Sequence, residues 1–294
     1  MTPWLRVTGI SLLLGAVFAC SEDRPPASPS LSGGDAAPYT PSDGPQPKPS
    51  ATACEDAATH VYVMSADRNL YRFRPRELTF ERVGQFKCEL GPESPFSMAV
   101  DRYGIAWVNY WDGSLYRVGT TDALCGYMSK YQPGQSGFTI YGMAFVKTSD
   151  SDETLFVDHQ QLGMIDTTTA KLTAVGAPKQ GTLIDRMAEL TGTGDGRLYG
   201  FFSTQPSATL ARIDPKTGAT SEERVLDGVD VGTAYAFSFW GGDFWFYTSK
   251  NLEPSTVTRL HTDTGQLEVV VQDVGGFIIG GAGVSTCAPL TMPR

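Results

Sequence analysis

The 294-residue sequence predicts an all-β fold, a five-bladed β-propeller whose first blade is closed by N-terminal strands plus a C-terminal strand. Two observations predict it. The first is a phrase that recurs five times: a small apolar strand, a turn, an aromatic strand, a Gly- or Asp-marked turn, and a strand ending in Arg or Ile. Its starts are Met98-Ala99-Val100, Met143-Ala144-Phe145, Met187-Ala188-Glu189, Phe237-Ser238-Phe239 and Gly281-Ala282-Gly283, at steps of 45, 44, 50 and 44 residues. A repeat of about 40–50 residues made of four short strands is the sequence form of a propeller blade. The second observation is that the two ends of the array are incomplete in complementary ways. Val61–Met64, Leu70–Arg74 and Thr79–Val83 supply three strands with no first strand before them, whereas Gly281–Ser285 is a first strand with no blade after it. Joining them completes a blade and removes an open sheet edge that would otherwise invite aggregation.

The remaining blades read through in order. Blade two runs Ser97–Val100, Ile105–Asn109, Gly113–Val118 and a fourth strand near Tyr127–Tyr131. Blade three has Met143–Val146, Thr154–Val157, Gly163–Asp166 and Leu172–Val175. Blade four has Met187–Leu190, Arg197–Phe201, Thr209–Asp214 and Glu223–Leu226. Blade five has Phe237–Trp240, Phe244–Tyr247, Thr256–Leu260 and Leu267–Val271. Turn sequences such as Asp214-Pro215-Lys216-Thr217-Gly218 and Thr262-Asp263-Thr264-Gly265 link third to fourth strands. Asp or Thr opens such turns by bonding the backbone, and Gly closes them where φ is positive.

Before the propeller, at 54–290, lie two segments of different character. Residues 1–19 carry one charge, Arg6, and an apolar run from Val7 to Ala19 that falls short of the roughly 20 residues a membrane-spanning helix needs. The run ends in Val17-Phe18-Ala19-Cys20, which resembles the bacterial lipobox. That resemblance implies a cleaved lipoprotein signal peptide, a lipidated Cys20 and, with Ser21 following, an outer-membrane rather than inner-membrane address. Acyl chains contribute about 0.8 kcal/mol per buried methylene, enough for two or three chains to hold a soluble domain. Residues 20–53 then read as a disordered tether: eight prolines among Ser, Ala and Gly, with too little apolar surface to fold. The expected location is the cell envelope, with the membrane touched through the lipid anchor only.

Charge narrows the partners. Without residues 1–19, 22 basic and 32 acidic residues remain, a formal charge of −10, and no basic stripe appears. Nucleic acid is therefore not an expected partner. Ligands left open are a peptide, a glycan or another protein, and the chain is expected to be a monomer.

Apart from Cys20 four cysteines remain, in what reads as an oxidising compartment. Blade phasing selects among the three connectivities. Cys54 lies just before the first N-terminal strand and Cys287 just after the C-terminal one. Cys88 follows the fourth strand of the composite blade, and Cys125 precedes the fourth strand of the next. The expected pairs are Cys54–Cys287 and Cys88–Cys125. No CxxC spacing is present, so no zinc site, other metal or cofactor is expected.

Catalytic motifs are missing as well: the sequence contains no GxSxG, HExxH, Walker loop or GxGxxG. Candidate residues come instead from departures from the repeat. Blade four departs most, with Asp185-Arg186 where other blades enter their first strand with Phe96-Ser97, Tyr141-Gly142 or Tyr235-Ala236, and Glu189 where they carry Val100, Phe145 or Phe239. The innermost strand lines the axial channel, so these charges belong near its mouth, where Arg186 neutralising Asp185 or Glu189 would plug it. Loops after each second strand share an end of the ring with the entries to the first strands. That end collects Tyr110, Trp111, Asp112, Asp158, His159 and Tyr235, and aromatic platforms beside carboxylates suit sugar stacking or peptide capture. Trp107, Trp240 and Trp245 read as strand packing, and Trp111 divides evenly between packing and an exposed contact.

The phrase Ser97-Met98-Ala99-Val100-Asp101-Arg102-Tyr103-Gly104-Ile105-Ala106-Trp107-Val108, followed by Asp112-Gly113-Ser114-Leu115-Tyr116-Arg117-Val118, resembles the repeat of NHL and virginiamycin B lyase-like propellers. The resemblance implies blade geometry. Those families usually have six or seven blades, and the lyase's catalytic His and Glu match no positions here, so no activity follows from it. The expected function is a lipid-anchored, non-catalytic binding module. Its alternatives are a glycan hydrolase or lyase with carboxylates around the funnel, and an envelope-complex scaffold.

Overall fold

A computed structural model describes residues 54–86, 88, 93–176, 181–184, 186–204 and 207–293. The expected signal peptide, Cys20 and the tether lie outside them. Five four-stranded antiparallel sheets make up the described structure. The composite sheet holds β1 (Val61–Ser65), β2 (Asn69–Arg74) and β3 (Thr79–Gln85), with β20 (Ile279–Gly283) as its first strand, in the order β20-β1-β2-β3. Blade two is β4 (Pro95–Val100), β5 (Ile105–Tyr110), β6 (Leu115–Gly119) and β7 (Cys125–Tyr127). Blade three is β8 (Gly142–Lys147), β9 (Glu153–Asp158), β10 (Leu162–Ile165) and β11 (Leu172–Ala174). Blade four is β12 (Ala188–Gly192), β13 (Leu198–Thr204), β14 (Ser207–Ile213) and β15 (Thr220–Leu226). Blade five is β16 (Ala234–Trp240), β17 (Asp243–Ser249), β18 (Thr256–Leu260) and β19 (Leu267–Val271).

Closure occurs where the sequence placed it. Tyr62, Val63 and Met64 pair with Gly283, Ala282 and Gly281, so head and tail share one sheet. Three further contacts fix the seam: the Cys54–Cys287 disulfide with Cα atoms 5.8 Å apart, Ser285 Oγ donating to the Ala58 carbonyl at 2.7 Å, and Trp240 Nε1 donating to the Thr59 carbonyl at 2.9 Å. The Cys88–Cys125 disulfide ties the composite blade to blade two.

The core is divided among the wedges between blades. A strand alternates its side chains between two faces, so a blade buried on both sides must be apolar at every position. Strand β1 shows this: Val61 and Val63 pack towards Trp245, Tyr247 and Val257 of blade five, whereas Tyr62 and Met64 pack towards Met98, Val100 and Val108 of blade two. Blade three repeats it, with Met143 and Phe145 facing Trp107 and Leu115 while Ala144 and Val146 face Leu190 and Phe202. The three tryptophans read as packing are buried, and Trp107 Nε1 donates to Asp101 Oδ2 at 3.0 Å. At the centre the inner strands meet backbone to backbone. A Cβ on Gly142 of β8 would run into the Ala188 carbonyl of β12, and one on Gly192 into the Phe145 carbonyl. Glycine is required there by close approach.

One element differs from expectation. The fourth strand of blade two lies at Cys125–Tyr127, earlier than the expected Tyr127–Tyr131. Residues 128–131 turn instead, with the Tyr131 amide bonding the Met128 carbonyl, which buries Tyr131 and lets its hydroxyl meet that of Tyr141 at 2.9 Å.

Candidate functional site on the loop face

Four-stranded antiparallel blades put the turns β1–β2, β5–β6, β9–β10 and β17–β18 at the same end of the ring as the starts of β4, β8, β12 and β16. At the axial mouth of that end stand Ser97 of β4, Asp158 closing β9, Glu189 of β12 and Tyr235 of β16. Ser97 Oγ donates to Glu189 Oε2 at 2.8 Å. Blade three separates blades two and four in ring order, so this bond reaches across the axis. Asp158 Oδ2 accepts the Ala188 backbone N–H at 2.7 Å, joining blade three to blade four.

Both carboxyl groups are sealed from solvent, Asp158 at 0% and Glu189 at 4% exposure. Burial, and secondarily the nearby Asp158 carboxylate, raises the Glu189 pKa well above the usual carboxylate range. Burial thus disfavours the charged form of Glu189, whose carboxyl is held by a serine. Tyr235, half-buried, feels the same two carboxyl groups, and burial followed by their charge drives its phenol above its ordinary value. The four residues form a polar plug in the throat.

The expected site residues fall into three groups. Asp158, Glu189 and Tyr235 come together in this plug. Arg186 is exposed, and the groups that act on Glu189 are Ser97 and Asp158. Asp185 lies outside the described residues. His159 is half-buried, with its ring 6.4 Å from that of Phe138.

The β5–β6 turn supplies the second group. Trp111 is 54% exposed and stands edge-on to Phe96, ring centroids 4.8 Å apart at 79°. Its backbone N–H bonds the Ser94 carbonyl at 3.2 Å, so the loop is pinned to the entry of β4. Asp112, its neighbour, is occupied in forming the turn: Oδ1 accepts from the Ser114 N–H at 2.9 Å and from Ser114 Oγ at 2.5 Å. Gly113 permits the turn with φ of 81°.

Tyr110 makes the third group. It is buried between the composite blade and blade two, 5.1 Å from the Tyr116 ring, and its hydroxyl has no hydrogen-bond partner among the described residues. Burial raises its phenol pKa above the ordinary value. It sits beneath the face rather than on it.

Two features escaped the sequence reading. Ser97 looked like an ordinary inner-strand residue. On the opposite end of the ring, Glu153 of β9 accepts from Thr286 Oγ1 at 2.6 Å and from the Arg102 backbone N–H at 2.6 Å, clamping blade three to the C-terminal segment and to blade two.

The fold is thus a β-propeller of five blades. No family model and no curated protein sequence matches the chain. Solved structures similar to it include two crystal structures of the extracellular domain of BT4673 from B. thetaiotaomicron. They are 15% and 16% identical with TM-scores of 0.38 and 0.41, and each covers 76% of this chain and 28% of the other. TolB from Acinetobacter baumannii is 11% identical with a TM-score of 0.41 over 74% of this chain and 54% of its own. The chain spans from about a quarter to about half the length of these structures, and at such identities no function passes from them. Among the described residues no helix is long and apolar enough to cross a membrane.

Proposed function

We propose that this chain is a binding module of the bacterial cell envelope, anchored through a lipidated Cys20, that captures a glycan or peptide on its loop face without cleaving it. The observation that carries the reading is Trp111: a large aromatic ring, more than half exposed, braced by Phe96 at the rim of the ring. An exposed ring held rigid offers contact area at little entropic cost. The likeness of the blade-two repeat to NHL and virginiamycin B lyase-like propellers belongs to the same reading and brings no activity with it.

Burial of the carboxyl pair argues against the enzymatic rival. Glycoside cleavage needs two carboxyl groups flanking the bond, about 5–5.5 Å apart for retention or 6.5–9.5 Å for inversion, with room for the sugar between them. Asp158 and Glu189 are sealed, one bonded to a backbone amide and the other to Ser97.

The test is an array of envelope glycans and peptides probed with wild type and with Trp111→Ala. A ligand held by wild type and weakened about tenfold or more in the variant supports the reading, whereas undiminished binding, or turnover of the ligand, refutes it. Cys20→Ala should release the protein from membranes, and retention would refute the anchor.

A further inference from the structure

A groove of about 600 Å³ opens between blades four and five on the end opposite the loop face. That volume lies within the roughly 300–1,000 Å³ typical of small-ligand sites. Arg197, Arg212 and Arg224 line it from blade four, and Arg259 from blade five. The same groove is lined by the carboxylates of Glu222, Asp243 and Asp263, so its walls carry both signs of charge.

Three of the arginines are held in fixed orientation by acids of their own blade. Arg197 pairs with Asp195 at 2.8 Å, Arg212 with Glu222 at 3.0 Å and Arg259 with Asp243 at 2.5 Å. None of these ion pairs crosses the groove. The fourth, Arg224, has no carboxylate partner among the described residues and reaches across only to the Gly265 carbonyl. The groove is therefore not zipped shut by its own charges. Beneath it the buried Tyr199 and Phe244 rings meet at 4.8 Å beside Leu210, with Arg197 donating to the Tyr199 hydroxyl at 3.1 Å.

We propose that this groove is a second ligand site, which takes an acidic saccharide. Planar guanidinium groups with surviving N–H donors match carboxylate or sulfate oxygens. The carboxylates that orient them remain acceptors for sugar hydroxyls. Three of the arginines already stand in ion pairs that hold their guanidinium groups at the groove wall. The site is independent of Trp111, which lies at the other end of the ring.

The experiment is titration calorimetry on the purified full chain with digalacturonate as probe, alongside lactose as a neutral disaccharide, a sulfated disaccharide and inorganic phosphate. Digalacturonate should bind with an affinity that falls with added salt, and Arg224→Gln and Arg212→Gln should each weaken it tenfold or more. Lys130→Gln, on blade two, removes the same charge and should leave binding unchanged. Thermal melts confirm that each variant is folded. Failure of both uronate and sulfated probes to bind, equal binding of lactose, phosphate binding as tightly as the disaccharides, or equal weakening by Lys130→Gln would each overturn the proposal.

Discussion

Glu153→Gln is the most informative single change in the described structure. Burial raises the Glu153 carboxyl to about 7, against the bonds from Thr286 and Arg102 that lower it. An acid whose folded pKa is raised binds its proton more tightly in the native state than in the unfolded chain. Stability is then fully present below the unfolded value, 4.5, and is lost as pH climbs from there to about 7, above which the loss levels off. At 1.36 kcal/mol per pH unit this gap is worth about 3 kcal/mol, of which roughly 2 kcal/mol falls between pH 5 and 7.5. For a domain of this size, 1 kcal/mol moves the melting temperature by about 2–4 °C. Glutamine keeps an acceptor for one clamp bond and has no proton to lose. Calorimetric melts at pH 5 and 7.5 should show wild type falling by roughly 4–8 °C more than Glu153→Gln over that interval. Parallel pH profiles for the two proteins would refute the reasoning, because they would mean that Glu153 titrates in the native state as it does in the unfolded chain.

Two other perturbations bear on closure and on the throat. The disulfide loops span 233 and 37 residues, so chain entropy assigns about 5 kcal/mol to Cys54–Cys287 and about 4 kcal/mol to Cys88–Cys125 as upper values. Denaturant melts of the paired serine variants should show the larger loss for Cys54–Cys287, and the reverse order would contradict the seam as the controlling element. Gly142→Ala places a methyl against the Ala188 carbonyl and the Glu189 backbone, which cannot move aside, so a cost of at least about 2 kcal/mol is expected; an unchanged melting temperature would contradict the backbone contact.

Blade number, closure and both disulfides were legible in the sequence because they depend on one quantity, the phase of the repeat. Once Gly281–Gly283 is recognised as a first strand, its pairing with Val61–Met64 is forced and the cysteines follow. The fourth strand of blade two was misplaced because Tyr127–Tyr131 reads as strand by composition, while burial of Tyr131 against Tyr141 decides for a turn. The candidate site divides the same way. Glu189 was legible as a break in the repeat. Its partner Ser97 was not, since it lies 92 residues away in a blade that obeys the pattern and only the closed ring brings the two together. Asp112 reads in sequence as a loop-face carboxylate, and in the structure its Oδ1 is taken up by Ser114 in forming the turn. Glu153 follows a run of exposed polar residues, Ser149 to Asp152. Its burial depends on the C-terminal segment crossing over it, which no local window contains.

Ring size is what turns these placements into a functional argument. With five blades the inner strands stand close enough that Gly142 and Gly192 abut neighbouring carbonyls. A carboxyl group set into such a throat loses its water, which raises the Glu189 pKa and leaves it bonded to a serine. On the proposed reading, recognition falls to surfaces the repeat does not prescribe: the turn that presents Trp111, and the wedge lined by four arginines between two blades. Both surfaces lie outside the inner strands, at the rim and at a seam between blades, which is where the proposal places ligands.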